Sequence, residues 1–369
     1  MRIGLNALYL IPGKVGGTEI YARNLIRSLV AACPNDEFVL YVAREAAETF
    51  PLAANLREVV CPIDAESRPA RLGYEQTVLP YRAKRDGIDV LHSLGYTAPL
   101  VAPCPSVVTL HDLNYHFHPE DWTRSALVAN RLLIPQVARR ATRVLTISQS
   151  SRAAIRDVLR IPDGKIDVVY HGIDGNLVAT TPADVAAVRT RFDLASRYLL
   201  TVTASHPHKN LDGLLAAYAR LSSPPPLVVV GIRGRDHARL ESAATHPGAG
   251  RVVVTGWLEN QELASLYRGA SAFVFASKYE GFGFPVLEAM SVGVPVASSN
   301  AASLPELVGD AGLLFAPTDI DGMASAMQRS LEDNALRTDL IRRGYERASG
   351  FLWARAARGT RNVYSVAVR

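Results

Sequence analysis

The chain has 369 residues, 48% hydrophobic and 20% charged, and this length predicts two domains because it exceeds one ordinary core. The net charge of +5 is mild and no stretch interleaves basic and aromatic residues, so nucleic acid is not an expected partner. No apolar run approaches the roughly 20 residues that span a bilayer. The three cysteines suit neither a disulfide framework nor a metal site, so we expect a cytoplasmic protein.

Short runs rich in Val, Ile and Leu alternate with helical patterns along almost the whole chain. The first half predicts strands at 2–9, 38–42, 59–63, 89–93, 107–111, 144–147 and 168–170, with helices such as 19–32 and 126–141. After a loop-like stretch near 175–182, strands are predicted at 198–203, 227–231, 252–255, 272–276, 294–298 and 312–315, with helices such as 211–221 and 261–268. This alternation predicts two doubly wound α/β units with parallel sheets.

The sequence Lys-Tyr-Glu-Gly-Phe-Gly-Phe-Pro-Val-Leu-Glu-Ala-Met at 278–290 carries the clearest chemical signal. It follows a predicted strand and opens a predicted helix, where glycines let backbone N–H groups approach an anion. Glu280 lies before the helix and Glu288 inside it, so both carboxylates can line one side of a pocket. Each carboxylate oxygen accepts a hydrogen bond, which suits the paired hydroxyls of a sugar or ribose.

The run from Glu280 to Glu288 resembles the Glu-x7-Glu motif of glycosyltransferase family four, a large retaining family with the GT-B fold. The likeness covers nearly the whole chain. Residues 256–258, 263–267 and 270–277 resemble the usual approach to that motif, and residues 303–309 and 312–317 resemble the usual continuation. The resemblance implies two Rossmann-like domains that face a central cleft, and a hexosyltransferase that uses a nucleotide-sugar donor. It further implies that Glu288 binds the donor ribose and Glu280 the transferred sugar. The other donor-binding residues that it implies are Trp257 and Leu258 beside the base, and Phe282, Gly283 and Phe284 through their amides.

Lys209 stands where a predicted strand gives way to a helix. A cation there can neutralise a leaving diphosphate without a metal. The first turn of a helix disfavours a cation, which favours an anionic partner over the alternative of a solvated lysine. The family usually supplies an arginine before or beside this lysine, and Thr203 and His208 hold those places here, so Lys209 is expected to carry more of the charge.

Two features of the first half are weaker signals. Gly16 and Gly17 follow the first predicted strand and lead into a predicted helix. A plain tight turn would explain this glycine pair, but the pair also resembles the Gly-Gly loop with which the family reaches the diphosphate and acceptor. His111 ends a predicted strand, where it could be a buried histidine of the core. The family, however, has a histidine at this place that contacts the transferred sugar. His116 and His118 are expected to be loop residues.

The sequence Asp319-Ile320-Asp321 matches the Asp-x-Asp metal signature of the other major glycosyltransferase fold. Here it follows Pro317 and opens a late helix, where acidic residues stabilise the first turn. We therefore expect no metal and no cofactor beyond the donor itself.

No residue is nominated by the sequence as the nucleophile of a covalent glycosyl intermediate. We therefore expect attack on the face from which the diphosphate departs, with Glu280 orienting the sugar. The pattern around Glu75-Gln76 and Lys209-Asn210 resembles mannosyltransferases of bacterial surface-polysaccharide assembly, so GDP-mannose is the expected donor and a glycan or lipid-linked hydroxyl the acceptor. The alternatives are a nucleotide-sugar epimerase or hydrolase of the same fold, and a non-catalytic nucleotide-sugar-binding protein.

The closing helix, predicted at 351–364, resembles the family helix that returns to the first domain. The expected domains are therefore 1–176 together with 351–369, and 177–350. We expect Phe351, Leu352 and Trp353 to be buried there. Basic residues concentrate at 122–165 and 337–369. These stretches predict contact with anionic lipid at the inner face of the membrane or with a lipid pyrophosphate, and the alternative is a set of solvated helix faces. The arginines expected to form that surface are Arg139, Arg140, Arg143, Arg355, Arg358 and Arg361.

Overall fold

The computed structural model describes residues 1–51, 53–173, 177–232, 240 and 250–369. The chain separates into two compact units. Unit 1 comprises Met1–Gly172 and Phe351–Arg369, and unit 2 comprises Ile173–Gly350. The boundary predicted at 176–177 adjoins residues 174–176, which lie outside the described residues, as does the start of the loop predicted at 175–182.

Unit 1 is built on a seven-stranded parallel sheet in the order β3-β2-β1-β4-β5-β6-β7. Its strands are β1 (Arg2–Ala7), β2 (Glu37–Val42), β3 (Leu56–Val60), β4 (Val90–Ser93), β5 (Ser106–Thr109), β6 (Arg143–Thr146) and β7 (Ile166–Val168). Its helices are α1 (Gly17–Ala32), α2 (Arg68–Arg85), α3 (Asn114–Phe117), α4 (Arg124–Arg140), α5 (Gln149–Leu159) and the closing helix α13 (Trp353–Ala367). The strand order reverses between β1 and β4, which is where open α/β sheets bind ligands.

Unit 2 is built on a six-stranded parallel sheet in the order β10-β9-β8-β11-β12-β13. Its strands are β8 (Leu199–Val202), β9 (Leu227–Val230), β10 (Val252–Gly256), β11 (Ala272–Phe275), β12 (Val296–Ser299) and β13 (Gly312–Phe315). Its helices in the described ranges are α6 (Pro182–Arg191), α7 (Leu211–Tyr218), α8 (Asn260–Gly269), α9 (Phe284–Ser291), α10 (Leu304–Val308), α11 (Ile320–Glu332) and α12 (Asn334–Ala348). The order reverses between β8 and β11.

These two sheets confirm the predicted α/β class and the GT-B type of fold. The central strands are buried along their length, as the continuous apolar runs predicted, because helices cover parallel sheets. The largest difference is β3, which was predicted at 59–63 and is found at Leu56–Val60. The predicted run includes Cys61 and Ile63, which are buried beyond the end of the strand and share a hydrophobic cluster with Tyr41 of β2.

The closing helix α13 packs on α1, β5 and β6 within unit 1. Phe351 and Trp353 are buried, but the expectation for Leu352 was wrong, since 42% of this residue is exposed. Leu352 is the extended residue directly before the helix, so its side chain leaves the buried side that its neighbours occupy. Farther along α13, the Tyr364 hydroxyl lies 2.6 Å from His92 Nδ1 at the centre of the sheet. Burial lowers the pKa of His92 to about 3, so this contact joins two neutral groups at pH 7.

Gly172 lies directly against the start of this helix. A Cβ added at Gly172 would stand 2.1 Å from the backbone nitrogen of Trp353, and backbone atoms cannot turn away as a flexible side chain can. We expect Gly172→Ala to destabilise the protein by roughly 1–3 kcal/mol, the usual cost of overpacking. The midpoint of urea unfolding measures the change. Gly164→Ala is the matched control, because nothing lies within 4 Å of its added Cβ. Equal midpoints for the two variants would contradict the close approach.

None of the helices in the described ranges is both long enough and apolar enough to cross a membrane.

Candidate active site

The glycine-rich junction of unit 2 connects β11 to α9. Gly283 immediately precedes the helix with a φ of +149°, a conformation that favours glycine. A Cβ at this position would also stand 2.9 Å from Leu304 Cδ2. The Phe282 side chain is buried, and its ring meets that of Phe284 edge to face. The junction is therefore held in a fixed shape, with the start of α9 as its positive end.

Lys209 and Glu280 form an ion pair, with Nζ and Oε1 2.7 Å apart. Both side chains are largely buried, at 19% and 14% exposure. Lys209 closes the single 3₁₀ turn Pro207–Lys209, whereas the sequence analysis expected it in the first turn of a helix. Asn210 follows in the left-handed conformation, φ +58°, and α7 begins after it. The pair thus lies between the β8–α7 connection and the glycine-rich junction.

Two sets of hydrogen bonds hold these segments in place. The Asn210 side-chain amide donates to the carbonyls of Ala276 (3.0 Å) and Pro317 (2.7 Å). The single proton of the buried Ser303 hydroxyl is shared between the carbonyls of Glu280, at 2.9 Å, and Phe282. The backbone on either side of the Glu280 carboxylate is therefore fixed before any ligand binds, which is the arrangement that orients a substrate.

Glu288 lies in the second turn of α9 and is only 7% exposed. Its Oε2 accepts a hydrogen bond from the Tyr267 hydroxyl of α8 at 3.1 Å. Burial, together with the negative charge of Glu288, raises the pKa of Tyr267 well above its usual range. Tyr267 therefore stays protonated and donates its hydroxyl proton to the Glu288 carboxylate.

Trp257 and Leu258 follow β10 and differ in exposure. Trp257 is 63% exposed, while Leu258 is 6% exposed. Gly256 turns the chain here with a φ of +69°, and its carbonyl accepts the Gly231 N–H at 2.8 Å. The Trp257 indole therefore lies largely at the surface, whereas the Leu258 side chain is buried.

In unit 1, Gly16 and Gly17 occupy the start of α1. Gly16 is the residue before the helix, with a φ of +59°, and nothing lies within 4 Å of a Cβ added to it. Its conformation, and not crowding, therefore selects glycine. The sixteen-residue helix that starts at Gly17 directs its first N–H groups toward the carboxyl edge of the sheet, where an anion can bind.

His111 follows β5 and is 5% exposed. Burial lowers the pKa of His111 to about 4, so the imidazole is neutral at pH 7. Nε2 lies 3.1 Å from the Leu94 carbonyl, which can only accept, so Nε2 carries the proton and Nδ1 keeps its lone pair. The Tyr21 ring packs against the imidazole edge-on, with centroids 4.8 Å apart. His111 is thus both a core residue and a neutral hydrogen-bonding group.

Asp319 and Asp321 have structural partners. Asp319 Oδ1 accepts the Gly322 N–H at 2.9 Å and caps α11, and Asp321 pairs with Arg220 on the surface. This is the helix-opening geometry that the sequence indicated for Asp319. Within the described ranges, no three His, Cys, Asp or Glu side chains are grouped as a metal site requires.

The structure brings Lys209 and Glu280 together and places Glu288 on the helix that the same junction opens. It also adds Tyr267, Ser303 and Asn210, whose supporting roles the sequence analysis missed. Tyr267 and Ser303 lie in stretches that resemble the family, and Asn210 directly follows Lys209, so the residues were visible but their partners were not. The roles of the individual residues in binding and catalysis stay predictions.

Comparison with known proteins identifies the family to which both units are similar. The model of "Glycosyltransferase Family 4" matches residues 15–176, and that of "Glycosyl transferases group 1" matches residues 182–347. The O-antigen chain mannosyltransferase B of Escherichia coli is 33% identical over 267 residues, 71% of this chain and 70% of that protein. The serotype-specific mannosyltransferase WbdA of Escherichia coli is 28% identical over 285 residues, which cover 72% of this chain and 34% of WbdA.

Solved structures with the same fold cover essentially the whole chain. Sucrose-phosphate synthase from Thermosynechococcus elongatus has a TM-score of 0.79 at 22% identity, covering 99% of this chain and 98% of that one. HepE of Anabaena, solved with UDP and glucose, has a TM-score of 0.77 at 21% identity, covering 99% of this chain and all of HepE. At these identities the likeness concerns the fold.

Proposed function

Because the chain belongs to glycosyltransferase family 4 and is a hexosyltransferase, we propose that it transfers mannose from GDP-mannose to a hydroxyl of a glycan or lipid-linked acceptor, with retention of configuration and without a metal. The two relatives from Escherichia coli are named mannosyltransferases, which supports mannose. The solved HepE complexes contain UDP and UDP-glucose, which makes UDP-glucose the second candidate donor.

The Lys209–Glu280 ion pair beside the glycine-rich junction carries this proposal. Without a ligand, each group neutralises the other in a largely buried position. When the donor binds, Lys209 turns its charge to the diphosphate, and Glu280 accepts hydrogen bonds from the hydroxyls of the sugar. Glu288, supported by Tyr267, takes the ribose hydroxyls. Donor binding thus exchanges an internal ion pair for a contact of Lys209 with the negative diphosphate and contacts of Glu280 with neutral hydroxyls.

The reaction needs one bond to break and one to form at the anomeric carbon. The bond to the diphosphate oxygen breaks, and the electron pair leaves with the diphosphate. The acceptor oxygen attacks on the same face, and its proton passes to the departing phosphate oxygen. Lys209 and the amides of 282–284 stabilise the charge that develops on the leaving group, which is the work a metal ion does in other transferases.

For a lipid-linked acceptor, the protein is proposed to bind at the inner face of the membrane. Four arginines of the predicted basic surface are exposed: Arg139, Arg140, Arg355 and Arg358. The other two are engaged in ion pairs, since Arg143 binds both oxygens of Asp167 and Arg361 binds Asp36. The attraction to anionic lipid is therefore proposed to rest on the first four.

A transfer assay in EDTA tests the proposed function. We expect GDP-mannose to be consumed with a mannosyl acceptor, with the α configuration at the anomeric carbon kept in the product, as read by NMR. UDP-glucose, ADP-glucose and dTDP-glucose are the competing donors. Activity that EDTA abolishes and Mn²⁺ or Mg²⁺ restores would contradict metal independence. Turnover of the donor at an unchanged rate when the acceptor is omitted would favour the epimerase or hydrolase alternative.

A further inference from the structure

Helix α2 begins with two arginines and continues with a buried glutamate on the same face. Arg68 is its first residue, Arg71 follows one turn later and Glu75 lies one turn beyond that, a spacing of i, i+3 and i+7. The first turn holds no acidic residue. Cations are unfavourable at this positive end of a helix, so two arginines there indicate that something negative binds them.

Among the described residues neither guanidinium forms a salt bridge, and the nearby charge of Glu75 acts on Arg71 only. Arg68 donates from Nη2 to the Asn130 side-chain oxygen at 2.6 Å, and Arg71 donates from Nη1 to the Ala65 carbonyl at 3.4 Å. The buried Nε of each arginine has no hydrogen-bond acceptor among the described residues. Burial lowers the pKa of both arginines. Two partly desolvated cations with unused N–H groups are costly unless an anion compensates them.

Glu75 provides an independent sign of a ligand site. It is 2% exposed, and its Oε1 accepts the Asn6 side-chain N–H at 2.6 Å. Its Oε2 is buried and has no hydrogen-bond partner within the described ranges. Burial raises the pKa of Glu75, and the nearby Thr97 hydroxyl, the Asn6 amide and the Arg71 charge oppose this rise. An acceptor oxygen left without a donor in this position is unusual in a native protein.

The position of Glu75 is that of a ligand site. Asn6 also donates to the Ser93 hydroxyl at 3.0 Å, and the two residues pair across β1 and β4 at the carboxyl ends of these strands. The strand order of unit 1 reverses between β1 and β4, and open α/β sheets bind their ligands at such a point. Glu75 therefore meets the sheet at its binding edge, and Arg68 and Arg71 precede it on the same helix.

We propose that Arg68, Arg71 and Glu75 form a subsite for a phosphorylated sugar acceptor. The two guanidinium groups bind the phosphate through their unused N–H groups, since arginine matches the geometry of phosphate oxygens. Glu75 Oε2 accepts a hydrogen bond from a hydroxyl of the acceptor sugar. The proposal rests on the proposed function, because an acceptor exists only for a transferase, and it narrows the acceptor class to sugars that carry a phosphate or diphosphate.

Calorimetry on the full chain tests the subsite, with GDP at saturation to fill the donor site. The probes are mannose 1-phosphate, mannose and inorganic pyrophosphate. We expect mannose 1-phosphate to bind at least about tenfold more tightly than mannose, and R68Q/R71Q to abolish that preference. Arg85→Gln, an exposed arginine on the same helix, is the matched control and should bind as the wild type does. Glu75→Gln should weaken mannose 1-phosphate and leave pyrophosphate binding unchanged, which separates the hydroxyl contact from the phosphate contact.

The outcomes distinguish this subsite from the donor site. A wild-type protein that binds GDP but does not prefer mannose 1-phosphate to mannose overturns the subsite alone. The same holds if R68Q/R71Q binds GDP normally and keeps the preference for mannose 1-phosphate. A wild-type protein that fails to bind GDP instead counts against the proposed donor.

Discussion

Replacing Lys209 with alanine is expected to lower kcat by about 10²–10³-fold, the usual loss when one preorganised group that stabilises the leaving charge is removed. Lys209 is 19% exposed and paired with Glu280, so no nearby water replaces it easily and its charge acts in a medium of low polarity. Initial rates of mannosyl transfer at saturating donor measure the effect. Folding is checked by the melting temperature, because the variant leaves the Glu280 carboxylate buried without its cation.

Lys278→Ala is the control for Lys209→Ala. Lys278 is an exposed lysine two residues before Glu280, and its contact with the β8–α7 connection is a backbone N–H bond to the His208 carbonyl at 2.7 Å, which the substitution keeps. It removes the same charge without touching the ion pair. A double-mutant cycle with Glu280→Gln should be strongly non-additive, since the two groups act together. Equal rates for Lys209→Ala and Lys278→Ala would remove Lys209 from the catalytic machinery.

The fold could be predicted from the sequence because its signals are local. Thirteen strands were expected, and each has a counterpart, because parallel strands buried on both faces appear as continuous apolar runs. The strand-to-helix junction around Glu280 and Glu288 was equally visible, since glycines, a proline at the start of the helix and the spacing of the carboxylates lie within a few residues of one another.

The side-chain pairs of the site and of the core could not be predicted because the two partners of each pair are distant in sequence. Lys209 and Glu280 are 71 positions apart, and His92 and Tyr364 are 272 apart. No periodicity encodes such pairs; they follow from the order in which strands join the sheet. The predicted burial of Leu352 was wrong for a different reason. Its apolar side chain indicated burial, but the extended backbone before α13 directs that side chain away from the buried side of its neighbours.

Glu288→Ala is expected to weaken binding of the donor nucleotide by about 1–3 kcal/mol, or roughly 5- to 150-fold, the cost of losing hydrogen bonds to a charged group. Glu288 is 7% exposed, and its Oε2 accepts a hydrogen bond from Tyr267, so the orientation of the carboxylate is held by the protein. Calorimetric titration with GDP measures the change. The variant should also lose stability, because it leaves the buried Tyr267 hydroxyl without its acceptor.

Tyr267→Phe separates these two effects. It removes the supporting hydroxyl but keeps the Glu288 carboxylate, so nucleotide binding should weaken less than in Glu288→Ala. The double variant should be more stable than Glu288→Ala alone, because no buried donor is then left unpaired. GDP affinity that is unchanged in Glu288→Ala, with the protein folded, would exclude Glu288 from the donor site and leave the hydrogen bond to Tyr267 as a purely structural contact between α8 and α9.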